Sequence, residues 1–378
     1  MDTSNPRIPT WSQRRGRKPW SRWPATLGAV ASGAFAWAAG CTTSGNLDPG
    51  RSGLESVSSM VCVKPRSDAV RDLVCSRWAC AHAKLSAATW DGDASSCTAG
   101  SFDERARKKA LALVNAYRFI AGVPEVQLEP RWHDPAQDCA LIAHANKQLS
   151  HTPPHDWSCW NLRGARASAV SLVANRSAPL AIDAFIEDPG NEKTMVHRRW
   201  LLSEKIHRLG LGSTSGYSCA LVDGREWDGT PPPSPSEANA ASEADAASDE
   251  DEEAGETDDG EDREGKIRKR STAEPPAWVA WPPPGPVPID AIRRSRVDIN
   301  GWTIQSSSLD LDGAKVEIRV GGFARPISVR PLERTMGSLT AVRIVPKEWS
   351  TEPDEHYDVH LEKDDTVIDF TVQPVMCP

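Results

Sequence analysis

At 378 residues the chain is long enough for two domains with a core each. Its formal charge of −8 is unevenly spread: residues 237–264 carry fourteen Asp and Glu against one Arg, and residues 1–40 carry six Lys and Arg against one Asp. The acidity therefore belongs to one segment, and no basic stripe interleaved with aromatics exists, which argues against nucleic acid as a partner.

Residues 1–40 read as an export signal. Arg14, Arg15, Arg17, Lys18 and Arg22 form a basic region, and Pro24 to Gly40 then runs without a charge. That run is too short and too rich in Ala and Gly to span a bilayer as a helix. It ends in Ala38-Ala39-Gly40-Cys41, which resembles a bacterial lipobox with Ala38 where Leu is usual. Cys41 is the candidate lipidation site, and the lipid would anchor the chain to the cell envelope, such as the outer membrane. Simple cleavage near this point, giving a secreted chain, is the alternative. Residues 41–60 suit a flexible tether.

Nine cysteines are present. Setting Cys41 aside leaves an even set: Cys62, Cys75, Cys80, Cys97, Cys139, Cys159, Cys219 and Cys377. Such a set in an exported chain predicts disulfides, with the connectivity open. Cys75, Cys80 and His82 lie close in sequence, but no second pair has zinc-finger spacing. Residues 61–100 form a Cys-rich segment with a helix around 68–83. Its core is too small to stand alone, so it should pack on the domain C-terminal to it.

Ser101-Phe102-Asp103-Glu104 reads as a capping box. Behind it Ala110, Leu113, Val114 and Tyr117 recur at helical spacing, ended by Gly122 and Pro124. Asp134-Pro135 starts a second helix through Ala136, Cys139, Ala140 and Ala143 to about Leu149. Ser177 starts a third, through Phe185, ended by Pro189-Gly190. A short fourth covers roughly 193–202. Strand-like runs come next at 209–212, 217–222 and 277–281. Between the last two lies an acidic insert, 225–275, whose composition predicts disorder. From Val316 onward apolar residues alternate with charged ones, as in Val316, Ile318, Val320 and Tyr357, Val359, Leu361. Gly321-Gly322, Gly337 and Asp364-Asp365 break the pattern. This reads as a small all-β, Ig-like sandwich over 288–378. If Cys377 is paired, its partner lies in the helical part.

Three stretches carry a family resemblance: Leu113-Val114-Asn115-Ala116-Tyr117-Arg118, Leu149-Ser150-His151-Thr152-Pro153-Pro154, and Asp188-Pro189-Gly190 followed by His197-Arg198-Arg199-Trp200-Leu201-Leu202-Ser203. With Pro135-Ala136-Gln137 and Leu209-Gly210-Leu211-Gly212 they resemble the CAP superfamily, also called SCP-like: cysteine-rich secretory proteins, antigen 5 and pathogenesis-related proteins. The resemblance covers about 103–286. It implies an α+β chain: a CAP-type α-β-α sandwich over 101–286, interrupted by the insert and followed by the β-sandwich.

The resemblance also implies a cleft with two histidines and two acidic residues, which in some members hold zinc. His151 matches the first histidine and His197 the second. The acid of the family's Gly-Glu-Asn motif has no counterpart at Ala169-Val170-Ser171-Leu172-Val173. Glu187, Asp188 and Glu192 are the candidates for the other. Zinc at His151 and His197 is the candidate metal, and no cofactor is required. Arg198 or Arg199 is expected to pair with an acid of the 187–192 loop. Ser150, Thr152 and Ser171 are the nearby hydroxyls, but no Gly-x-Ser-x-Gly elbow and no His-Glu-x-x-His helix is present. The leading expectation is an exported, non-catalytic binding protein whose partner is an extracellular lipid, glycan or protein. The alternatives are a metal-dependent hydrolase using His151 and His197, and a structural envelope lipoprotein.

Overall fold

The computed structural model describes residues 70–227 and 276–378. The expected signal, Cys41, the tether, Cys62 and most of the insert lie outside the described residues. The insert's first three residues, Arg225–Trp227, form a 3-10 turn, held where Arg166 Nη1 donates to Glu226 at 2.6 Å.

Helix α1 (Val70–His82) lies in the Cys-rich segment. Helix α2 (Glu104–Ile120) is next, and its cap differs from the capping-box expectation. Asp103, not Ser101, is the N-cap: its Oδ1 accepts from Ala106 N at 2.8 Å. Ser101 is instead drawn back to Asp91, whose Oδ1 accepts from Ser101 N. A carboxylate closer to the helix meets the open amides better than a distant hydroxyl.

Strand β1 (Gln127–Leu128) and helices α3 (His133–Asn146) and α4 (Leu162–Ala169) come after it. Strand β2 (Ser171–Ala174), helices α5 (Ala181–Glu187) and α6 (Val196–Leu201), and strands β3 (Arg208–Ser213) and β4 (Ser218–Leu221) complete the first layer set. The sheet order is β1-β3-β4-β2, antiparallel except for the two-residue β1 beside β3.

Alternation along these strands builds the layers. Leu209, Leu211, Ala220, Leu172 and Ala174 share one buried cluster with Leu113, Tyr117, Ile182 and Phe185 of α2 and α5. Cys219, Leu221 and Val173 share a second with Ala136, Cys139 and Ala140 of α3 and Ala167 of α4. One face thus packs α2 and α5 and the other α3 and α4, an α-β-α sandwich. Gly212 permits the close approach of α3: a Cβ there would lie 2.1 Å from Ala136 O.

Strands β5 (Val279–Trp281) and β6 (Gly285–Pro288) and short helices α7 (Ile289–Arg294) and α8 (Val297–Asn300) open the C-terminal part. Strands β7 (Trp302–Ser306), β8 (Lys315–Val320), β9 (Phe323–Ala324), β10 (Ile327–Pro331), β11 (Thr340–Pro346), β12 (Tyr357–Lys363) and β13 (Thr366–Val375) complete it. They form two sheets, β10-β11-β7-β5 and β6-β13-β12-β8-β9. Inward residues Trp302, Ile304, Val342, Ile344, Ile318, Tyr357, Val359, Leu361 and Val372 belong to the same cluster as α2 and α5. The outward face of the first of these sheets is covered too: Ala341 packs with Met195, and Gln305 Nε2 donates to Arg199 O at 3.1 Å.

Disulfides join Cys75 to Cys377, Cys97 to Cys159 and Cys139 to Cys219. Cys80 is also disulfide-bonded. The Cys377 partner therefore lies in the helical part, as expected.

Candidate functional site

Asp188 ends α5 in the left-handed conformation, φ 57°. It is fully buried and serves the start of α6. Its Oδ2 accepts from His197 N at 3.0 Å and Arg198 N at 3.2 Å. Its Oδ1 accepts from Asn191 Nδ2 at 2.7 Å and lies 3.0 Å from His197 Nδ1. Met195 enters α6 with φ 47°. Its side chain is buried against Leu332 and Ala341, which holds a conformation otherwise costly for a long side chain.

The His197 ring packs edge-on to Phe185, centroids 5.2 Å apart. With Nδ1 turned to Asp188, its Nε2 is the ring nitrogen left to meet something else. A buried carboxylate behind an imidazole fixes its tautomer and orientation.

The neighbouring arginines differ from expectation. Neither pairs with a carboxylate of the 187–192 loop among the described residues. Arg198 Nε donates to Ile186 O and its Nη1 to Gly301 O, both at 2.6 Å, with longer bonds to Glu187 O and Ser295 O. Arg199 donates to Thr194 O, Glu333 O and Ser338. The reason is that Asp188 is already saturated by amides and His197. Burial lowers both guanidiniums to about 10.

Glu187 lies 3.3 Å from Arg296 Nη1, and its carbonyl accepts from Asn300 Nδ2. Glu192 is exposed, with Oε1 accepting from Gly190 N. His151 sits in an exposed loop after α3, its Nδ1 2.8 Å from Ser168 O of α4. The structure thus gathers Asp188, His197 and Asn191, while no hydrogen bond or ion pair among the described residues joins His151, Glu187 or Glu192 to that group.

Zinc needs three or four donors. Asp188 has spent its lone pairs on N–H donors, leaving one imidazole nitrogen in this group. Among the described residues no set of three or more His, Cys, Asp or Glu is arranged to hold a metal. This donor set does not fit zinc.

Two groups, the buried Arg118 and the half-buried His133, escaped the sequence reading. Arg118 spreads its guanidinium over Pro124 O, Leu201 O, Ser203 O and Ile206 O, and burial lowers it to about 10. His133 accepts from Leu211 N at 3.2 Å through Nδ1. Only the position of Arg118 inside an apolar helical stripe signalled the first; nothing local signalled the second.

Residues 111–221 match the family model described as the Cysteine-rich secretory protein family, CAP. The matched segment holds every element of the first sheet and the group around His197. No curated protein matches the chain, and no solved structure does.

Proposed function

We propose that this chain is an exported binding protein, acting without catalysis at or outside the cell surface through the surface around His197 and His151. Its ligand is an extracellular lipid, glycan or protein. One observation carries the reading: the charged groups around His197 are committed to holding backbone. Asp188, Arg198 and Arg199 between them bond to amides, carbonyls and Ser338, which leaves a shaped surface rather than a set of free acids and bases. Export is supported by the disulfides, which persist in oxidising compartments, and by the secreted or extracellular setting typical of CAP domains. A lipid on Cys41 would hold the chain at the envelope.

A second reading, a metal-dependent hydrolase, draws on the Asp188–His197 contact, which orients an imidazole as a general base requires. The two separate by experiment. Fluorescently labelled protein is titrated onto phospholipid vesicles and onto isolated envelope glycan, and its zinc content is measured. The binding reading expects saturable association weakened about tenfold in His151→Ala plus His197→Ala, with no stoichiometric zinc. Zinc bound one to one and lost in that double variant would overturn it. The third role, a structural envelope lipoprotein, predicts no saturable association with either probe.

A further inference from the structure

The outward face of the sheet β10-β11-β7-β5 changes character along β11. Val342 and Ile344 point into the sandwich and are buried, so Ala341, Arg343 and Val345 point outward. Ala341 is covered by Met195. Past it the face opens, with Arg343 half-buried and Arg330 exposed. The register sets Arg330 of β10 directly opposite Arg343. Ser328, two residues back on β10, shares that face.

Arg343 is fixed in place. Its Nε donates to Asn300 O at 2.6 Å and its Nη2 to Ile299 O at 3.2 Å, both in α8. Gly301 makes room for it: a Cβ there would lie 2.7 Å from Arg343 Cγ. Among the described residues, Arg343 Nη1 and the side chains of Arg330 and Ser328 have no hydrogen-bond or ion-pair partner. Glu192 acts on Arg343 only at a distance. Burial, together with the Arg330 charge, holds the Arg343 guanidinium below its usual value, and Glu192 opposes this.

Like charges directly opposite on neighbouring strands destabilise a sheet. One cation on an edge strand discourages pairing with another chain, but that does not account for two set face to face. A group with several oxygens would satisfy both. A carboxylate has two, enough for one guanidinium fork. A phosphate ester offers more, so it can take the Arg330 fork and Arg343 Nη1 together, with the Ser328 hydroxyl donating to a remaining lone pair.

We propose that Arg330, Arg343 and Ser328 form a binding site for a phosphate group, carried by a soluble phosphate ester or by a lipid headgroup. Ile299, whose carbonyl holds Arg343, is 58% exposed, which places an apolar residue beside the pair for the second source. The site does not rest on the His197 reading.

The test follows the arginine Nε–H signals of the full chain in ¹H–¹⁵N spectra during titration with glycerol phosphate at constant ionic strength. The Arg330 and Arg343 signals should shift together and saturate, with affinity weakened about tenfold in Arg330→Gln. Arg330→Glu sets a carboxylate opposite Arg343. It should abolish the response while leaving the urea midpoint no lower than wild type, which separates lost binding from lost fold. Phosphatidylcholine vesicles with and without phosphatidic acid separate the two sources. Association that requires phosphatidic acid, is tighter than glycerol phosphate binding and weakens in Ile299→Ser assigns the lipid headgroup. Glycerol phosphate binding without vesicle association assigns the soluble ester. His151→Ala plus His197→Ala should keep the glycerol phosphate response, so either proposal can fail alone. A shift that never saturates, an equal response to acetate, or an Arg343 shift unchanged in Arg330→Gln would each overturn the site.

Discussion

His133 shows how one residue sets a pH limit on the fold. Its Nδ1 accepts from the β3 backbone at Leu211 N, which requires that nitrogen bare. Burial, with Arg107 nearby, lowers its pKa from 6.5 to about 4. Above 6.5 the ring is neutral in both the folded and unfolded chain, and it costs nothing. As pH falls from 6.5 toward 4 the unfolded chain takes the proton first, so stability is lost across that window. Part of the ring meets solvent, which screens the effect, so the loss is ~2 kcal/mol by pH 4. Urea unfolding of wild type and His133→Gln at pH 7 and pH 4 checks this, the variant having the shallower dependence. The charges at Asp188, Arg198 and Arg118 obey the same logic from the other side: each is tolerated inside because backbone groups answer it.

At the scale of elements, α3 is the one most tightly tied to the sheet. Its small residues Ala136 and Ala140 face Gly212 and Cys219, and the Cys139–Cys219 disulfide closes a separation of 80 residues across that layer. Replacing both cysteines with Ala removes the cross-link from the unfolded chain and leaves a small gap. The expected cost is ~4 kcal/mol, read as a lowered denaturant midpoint with the slope altered by the opened unfolded state. Helix α6 is too short to hold itself, and its stability is tertiary. Asp188 caps its amides, and its two arginines grip carbonyls of the C-terminal part.

On the scale of the molecule, the helical layers and the β-sandwich share one apolar cluster running from Val74 to Val372. Arg198 and Arg199 bridge the same junction with charge-assisted bonds, and Cys75–Cys377 spans it covalently. The described residues, 70–227 and 276–378, accordingly belong to one compact unit. The chain should therefore unfold in a single calorimetric transition rather than two. Arg198→Met should lower stability by ~3 kcal/mol, because it strands the carbonyls of Ile186 and Gly301. Arg198→Lys should recover little, since an ammonium cannot fork to both. A second transition in the wild-type scan would count against this integration.

Much of this was legible in the residues alone, wherever the signal is local. Helical spacing in α2, the alternation in β8 and β12 and the CAP resemblance all rest on neighbours a few positions apart, whereas α3 begins at His133, two residues before the Pro135 expected to open it. Cysteine parity and the partner of Cys377 in the helical part came from counting. What the sequence could not decide depends on atoms distant along the chain. Asp103 outcompeted Ser101 as a cap because Asp91 claimed the serine. Arg198 and Arg199 turned to carbonyls because Asp188 was spent on α6. Arg330 came to face Arg343 only once β10 had paired with β11. Short-range patterns state which backbone form is cheapest, whereas the pairing of a buried charge is settled by whichever group the folded layers bring within reach.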